Sequence, residues 1–339
     1  MSKLFSSFQL KDMELKNRIV MAPMCMYSAS KEGIAQDWHF THYMSRAVGG
    51  VGLILLEATG VENRGRISDR DLGLWNDDQI EGLKRIVEAC KKHGAKVGIQ
   101  LAHAGRKSEV LSEPNIAPSP IAFSDNYRTP VEMTKEDIKQ VKLAFKEAAV
   151  RAEKAGFDTI ELHAAHGYLI SEFLSPLTNQ RTDEYGGSME NRTRFLKEIL
   201  KEVKSVWPHE KPIIVRVSAE DYAKEGNHDN MMAGILQSVK DDGIDLVDVS
   251  SGGVINVSMN VYPGYQVKFA ETIRREVSIP VISGGLITSP LMAEEILQNE
   301  RADFIFLGRE LLRNPYWPLQ AAKELKETIE WPVPYERGK

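Results

Sequence analysis

Short apolar runs recur at intervals along the chain, each followed by a polar loop and a stretch of helical periodicity. Eight runs stand out, at 18–23, 52–57, 96–101, 158–163, 212–217, 246–250, 280–283 and 304–307. All are brief and rich in Val, Ile or Leu, which reads as parallel strands buried on both faces. The segments between them read as helices. Thr134 caps one in which Ile138, Val141, Phe145, Ala148, Ala152 and Ala155 recur at helical spacing, and Gly156 ends it. Ser188 opens another, with Phe195, Ile199, Val203 and Val206 on one face and Pro208 as its stop. The stretches 77–92, 230–241, 266–276 and 290–298 behave likewise.

Eight strands with intervening helices predict an α/β fold, a single (β/α)8 TIM barrel spanning residues 1–339 as one domain. A doubly wound sheet is the competitor, but no Gly-x-Gly-x-x-Gly follows any strand. Residues 5–10 and 13–16, around Lys11-Asp12, read as an N-terminal hairpin that covers one barrel mouth. The stretch 102–134 is too long for a plain strand-to-helix loop and reads as a capping excursion over the catalytic face after strand three. Pro332 and Pro334 keep the tail, 328–339, from continuing a helix.

Length alone, 339 residues, also allows two domains, and the strand count decides for the barrel. A net charge of −5, without a Lys/Arg cluster, gives nucleic-acid binding no support. The most apolar stretch, 51–56, stops at Glu57, far short of a bilayer span. Cys25 and Cys90 cannot make a disulfide framework or an iron–sulfur set, and no signal peptide is visible, so a cytoplasmic location is expected. Cys90, within a helix, reads as core packing.

In such a barrel the chemistry sits at the C-terminal strand ends. Those ends carry 24–27, Ala58, 100–103, 163–168, Arg216, 250–253, 284–285 and 308–309. Gly284-Gly285 and Gly308-Arg309 read either as tight turns with a surface arginine or as a phosphate site with close backbone approach, amide donors and a guanidinium. Glycine at both ends favours the phosphate. Arg216, in a buried strand, needs an anion in the barrel mouth or a structural carboxylate. His163 and His166 would serve as metal ligands, as acid/base groups or as donors to a substrate oxygen. Glu161 is taken to alternate away from His163, and no zincin spacing is present, so no metal is expected and the donor role fits better. No lysine stands at a strand end, which argues against a Schiff-base aldolase.

Several segments taken together resemble the old yellow enzyme family, in its short bacterial, thermophilic-like branch. They are 17–27 (NRIVMAPMCMY), 100–107 (QLAHAGRK), 163–169 (HAAHGYL), 175–179 (SPLTN), 181–188 (RTDEYGGS), 216–218 (RVS) and 308–310 (GRE). The resemblance covers nearly the whole chain. It implies FMN, with its phosphate at Gly284, Gly285, Gly308 and Arg309, and with Arg216 at the ring edge that gains negative charge on reduction. Gln100 would bond the pyrimidine ring, Ala22, Pro23, Met24 and Ala58 would pack against the ring system, and Cys25 would sit near its reactive edge, where the family's first-described branch carries threonine.

The activity implied is an NADPH dehydrogenase of ene-reductase type, working by ping-pong hydride transfer. His163 and His166, with the intervening Ala164 and Ala165, would bind the carbonyl oxygen of an α,β-unsaturated aldehyde, ketone or maleimide, and quinones or nitro compounds are further acceptors. Tyr168 would donate the proton to the α-carbon, and Tyr27 would add an upper contact. Arg337 would reach into a neighbouring subunit's site, implying a homodimer or homotetramer. A metal-dependent barrel aldolase or isomerase on a phosphate-bearing substrate, and a non-catalytic ligand-binding barrel, are the competing readings.

Overall fold

Eight parallel strands close on themselves in chain order in the computed structural model, which describes residues 2–339. They are β1 (Ile19–Met21), β2 (Leu53–Gly60), β3 (Lys96–Ala102), β4 (Thr159–Ala164), β5 (Ile213–Ser218), β6 (Leu246–Ser250), β7 (Val281–Ser283) and β8 (Phe304–Leu307). Helices Asp37–Val48, Ile80–Lys91, Lys135–Lys154, Met189–Lys204, Asp229–Val239, Val267–Val277, Pro290–Gln298 and Trp317–Glu324 follow the strands in turn. This is the TIM barrel expected from the pattern.

Both strand faces are buried, which is why the runs look continuously apolar. The bottom of the lumen holds Val20, Leu53, Leu55, Ile214, Leu246, Ile282 and Phe304. The hairpin of Phe8–Leu10 and Met13–Leu15 closes that mouth with Met13 and Leu15, flanked by Phe8 and Leu10. Outward-facing Ile54, Leu56, Ile99, Val215 and Val217 pack on helix residues such as Tyr43, Ile86, Phe145 and Phe195.

Thr134 and Asp137 form the capping box at the head of Lys135–Lys154, with the Asp137 amide donating to Thr134 Oγ1 at 3.1 Å and the Thr134 amide to Asp137 Oδ2 at 2.9 Å. Gly156 follows the end of that helix at φ +86°, in the left-handed region. Ser188 caps Met189–Lys204, which ends at Lys204, four residues before Pro208.

Helix Asp37–Val48 is absent from the sequence reading because its inner face buries His39, His42 and Arg46 beside Tyr43 and Ala47, so polarity hides the period. Strand β2 runs to Gly60, three residues past the expected end, through a bulge. Leu56 pairs with Ile99 and Ala58 with Gln100, leaving Glu57 without a partner on β3. In the 102–134 excursion, a 3-10 turn at Gly105–Lys107 is followed by a small parallel pair, Ile116–Ala117 on Val131–Glu132. The Arg181 guanidinium ties this pair together by donating just past each strand, to Pro118 O at 3.3 Å and Met133 O at 2.7 Å. Among the described residues no helix is long and apolar enough to cross a membrane.

Candidate active site at the C-terminal strand ends

Register sets the site. His163, Arg216 and Asp248 stand side by side on β4, β5 and β6, one layer above Gln100 and Glu161. Gln100 Nε2 donates to Glu161 Oε1 at 2.7 Å. Arg216 Nε lies 3.3 Å from Asp248 Oδ2, and the guanidinium stacks over Phe306, 5.2 Å from the ring centre. Arg216 thus has the structural carboxylate partner, and it also lines a cavity at the mouth. Glu161 does not point away from His163. Residues two apart in a strand share a face, and both side chains enter the lumen. Burial pushes the Glu161 and Asp248 carboxyls up, Asp248 adds to the lift on Glu161, and Arg216 opposes both. The pair is thus suited to holding one proton, with the guanidinium balancing the remaining charge.

The cavity, about 260 Å³, is lined by Arg216, Ser250, Gly285, Phe306, Gly308 and Arg309 with their loop neighbours. Gly285 is left-handed at φ +97°, and Gly308 leads into the short turn Arg309–Arg313. Gly284 is not part of the lining. A Cβ there would strike the Phe306 ring, so its glycine serves strand packing. Five buried polar atoms in this part of the lumen, Arg216 Nε, Ser283 Oγ, Glu161 Oε2 and both Asp248 carboxylate oxygens, have no hydrogen-bond partner. Two arginines, open backbone at Gly285 and Gly308 and the unpartnered Ser283 hydroxyl fit a ligand with a phosphate and a polar ring edge. Met24, whose sulfur lies where a side chain at Gly308 would pack, and Ala22, whose amide donates to Leu307 O at 3.1 Å, join the β1 end to this wall. Pro23 lies between them. Ala58 faces the lumen only because the bulge turns Glu57 outward.

His163 is buried, and its Nδ1 accepts the Ala165 amide at 3.3 Å. Burial, followed by His166, Arg216 and Lys107, holds the ring well below its ordinary pKa, so it is neutral with its proton on Nε2. His166 has φ +60°, a costly conformation for a non-glycine. Its amide donates to Ser218 Oγ at 2.9 Å, and its Nε2 is 2.7 Å from Ser250 Oγ, which also accepts Gln266 Nε2 at 3.1 Å. His163 meets His166 and Tyr168 edge-on, with ring centres 5.2 and 4.9 Å apart. Burial, then the nearby Cys25 and Tyr27, pushes the Tyr168 hydroxyl up, so it stays protonated. Tyr27 is half exposed and left-handed at φ +50°, and Cys25 is half-buried. Cys90 is a buried core residue, as its helix position predicts.

Lys107 escapes the sequence reading as a site residue, although it closes the 100–107 motif. It comes from the excursion, not from a strand end. Its Nζ donates to His166 O at 2.9 Å and Gly253 O at 3.2 Å, and lies 5.0 Å from the Tyr168 ring centre. Arg337 is exposed on the turn Val333–Gly338 and, among the described residues, makes no ion pair. The preceding residues 329–333 lie near Asn17, Gly50 and Gly94, at the opposite end of the barrel. Arg337 is therefore not brought to the site of its own chain. Among the described residues, no group of three or more His, Cys, Asp or Glu is set to hold a metal ion.

Residues 3–328 match the NADH:flavin oxidoreductase / NADH oxidase family. The chain is 57% identical over 337 residues to an NADPH dehydrogenase of Clostridium acetobutylicum, covering 99% of each. It is 59% identical over 336 residues to an NADPH dehydrogenase of Geobacillus thermodenitrificans, covering 99% of this chain and 98% of the relative. Morphinone reductase superposes with a TM-score of 0.83 at 27% identity, over 98% of this chain and 92% of its own. A 2-naphthoyl-CoA reductase in complex with 2-naphthoyl-CoA gives a TM-score of 0.91 at 25% identity, over 95% of this chain but 52% of that longer one.

Proposed function

The chain belongs to the NADH:flavin oxidoreductase / NADH oxidase family, and from that premise we propose an FMN-dependent NADPH dehydrogenase that acts as an ene-reductase. The acceptors in this reading are α,β-unsaturated aldehydes, ketones and maleimides, with quinones and nitro compounds as further candidates. The observation that carries it is the juxtaposition of a neutral His163, with Nε2–H free to donate, and a protonated Tyr168 beside a cavity lined by Arg216, Gly285 and Arg309.

Gly285, Gly308 and Arg309 would hold the FMN phosphate, with Gly284 keeping Phe306 in place behind them. Arg216 would face the ring edge that becomes negative, and Ala22, Pro23, Met24, Cys25, Ala58 and Gln100 would line the ring. When bound, FMN supplies a two-electron carrier that accepts hydride from NADPH and passes one to the acceptor. The protein's own residues do the rest. His163 donates Nε2–H to the substrate oxygen, and His166 joins it by exchanging Ser250 for that oxygen. Charge drawn onto the oxygen leaves the β-carbon electron-poor. Tyr168 gives its proton to the α-carbon, where the developing enolate is basic enough to take it. Ala164 and Ala165 keep the floor between the histidines low, and Tyr27 covers the substrate from above. A single mouth serving both NADPH and acceptor in alternation accounts for the missing dinucleotide fingerprint.

The same reading extends to assembly. Arg337, spare in its own chain, would complete a neighbour's site in a homodimer or tetramer. Truncation after Pro334 should then raise KM for an enone and leave FMN content unchanged, and unaltered kinetics would remove this role. Free thiols and NADPH use suit the cytoplasm. The direct test of the activity is product analysis. Purified protein with NADPH and cyclohexenone should yield cyclohexanone, whereas NADPH oxidation without a saturated product would contradict the assignment.

A further inference from the structure

Glu57 lies in the wall of the barrel, beside the mouth but outside the machinery described so far. Its side chain is fully buried. Leu53 and Leu55 point into the lumen and Ile54 and Leu56 point out, so the strand period would send residue 57 into the lumen, where Ala58 now stands. The bulge inserts Glu57 as an unpaired residue and turns it toward helix Asp37–Val48. The Thr59 hydroxyl closes the bulge by donating to Glu57 O at 2.8 Å.

Two donors bind the carboxylate, and a third N–H faces it. The Met26 amide donates to Oε2 at 2.8 Å. The Tyr43 hydroxyl donates to Oε1 at 2.9 Å, while accepting the Glu57 amide at 3.0 Å. His39 Nε2 lies 3.6 Å from Oε1, too far for a hydrogen bond, and has no hydrogen-bond partner. Because His39 Nδ1 accepts the Gln36 amide at 3.0 Å, its neutral ring carries the proton on Nε2 and turns it toward Glu57. Met26 sits between Cys25 and Tyr27 in the segment that presents both to the mouth, and Tyr27 is held there in a left-handed conformation.

We infer that Glu57 is a positioning residue: through the Met26 amide its carboxylate fixes the Cys25–Tyr27 turn, and its charge sets the reactivity of the Cys25 thiol. Protonation puts a hydrogen on a carboxyl whose two oxygens accept from the Met26 amide and the Tyr43 hydroxyl, so the Met26 bond weakens or the Tyr43 hydroxyl must turn from donor to acceptor. Burial lifts the Glu57 carboxyl to about 7, with Asp71 adding to the lift and the Met26 and Tyr43 donors opposing it. Burial, then Asp71 and Glu57, push up the Cys25 thiol. The other groups facing this pocket are committed or neutral. Burial keeps His39 and His42 below their ordinary range. Arg46 is spent on Leu311 O and His42 O. Asp71 takes the Ile67 and Ser68 amides and the Ser68 hydroxyl.

The alkylation test uses holoenzyme and does not depend on the acceptor chemistry, whereas the KM test rests on the proposed enone reduction. Cys25 alkylation by iodoacetamide is followed by peptide mass from pH 6 to 8.5 in wild type, Glu57→Gln and Tyr43→Phe. Gln keeps an acceptor for Met26 but carries no charge. The Gln-to-wild-type rate ratio should be near one at pH 6, where Glu57 is already neutral. It should climb to about fivefold at pH 8.5, the scale of one partly screened neighbouring charge. Tyr43→Phe removes a donor and should move the wild-type inflection upward. A ratio constant with pH would overturn the charge role, because a merely structural defect has no reason to titrate. For positioning, Glu57→Ala should raise the enone KM about tenfold, with Glu57→Gln restoring it. Equal KM values for wild type, Ala and Gln would overturn the positional role. If the Ala variant does not fold, the alkylation ratio and the Tyr43→Phe shift still decide the proposal.

Discussion

Lys107 Nζ donates to the carbonyl oxygen of His166 at 2.9 Å, so a residue of the excursion holds the left-handed turn that presents a candidate catalytic ring. Without that donor, both the His166 carbonyl and the Gly253 carbonyl lose a charged partner in a closed space. Lys107→Met should therefore weaken phenol binding and enone reduction by about tenfold or more, a loss near the 1.5–3 kcal/mol of a charged hydrogen bond. FMN content and reduction by NADPH should change little. Phenol titration of the flavin spectrum checks this, and equal loss in both half-reactions would assign Lys107 to cofactor binding instead.

Tyr168 stands edge-on to His163, its hydroxyl kept protonated by burial. Tyr168→Phe should slow reoxidation by enones by about 100-fold, the usual weight of a general acid, and leave reduction by NADPH nearly untouched. Rapid-mixing measurement of the two half-reactions separates them.

His163 and His166 are neutral in the fold, so their donor role needs no protonation in the physiological range. Replacing either should weaken binding of a phenol, whose oxygen mimics an enolate. Undiminished phenol binding by both variants would contradict the oxyanion assignment. Wild-type binding should show no inflection from these rings between pH 6 and 8.

His42 tests the stability side of the same physics. Its Nε2 is buried without a partner, and burial, reinforced by Arg46 and His39, lowers it from 6.5 to about 3. A depressed histidine contributes its full stability above pH 6.5. Below that the unfolded chain takes the proton and the fold does not, so up to about 1.4 kcal/mol is lost per pH unit. His42→Phe, which keeps the packing on Tyr43, should flatten the fall of Tm between pH 6.5 and 4. Parallel curves for mutant and wild type would refute this.

The barrel was legible because strands buried on both faces leave a continuous apolar trace, and Thr134 and Ser188 announce their helices by cap chemistry. Helix Asp37–Val48 was not, since a helix whose inner face holds His39, His42 and Arg46 has no apolar stripe to find. Strand-end position brought His163, His166, Tyr168 and Arg216 to one mouth as expected. Asp248 as the partner of Arg216 depends on the β5–β6 register, which no local pattern encodes. Glu161 could have been placed correctly by period alone, as it lies two residues from His163. Glu57 and Ala58 could not, because a bulge breaks the period at that point.

The central claim is that one flavin mouth takes hydride from NADPH and returns it to an activated alkene. The most direct measurement is the anaerobic visible spectrum of the purified protein, first with one equivalent of NADPH and then with cyclohexenone or a maleimide. The account predicts a flavin band that bleaches with NADPH and recovers on adding the alkene. A protein with no flavin band, or a bleached flavin that the alkene leaves reduced, would contradict it.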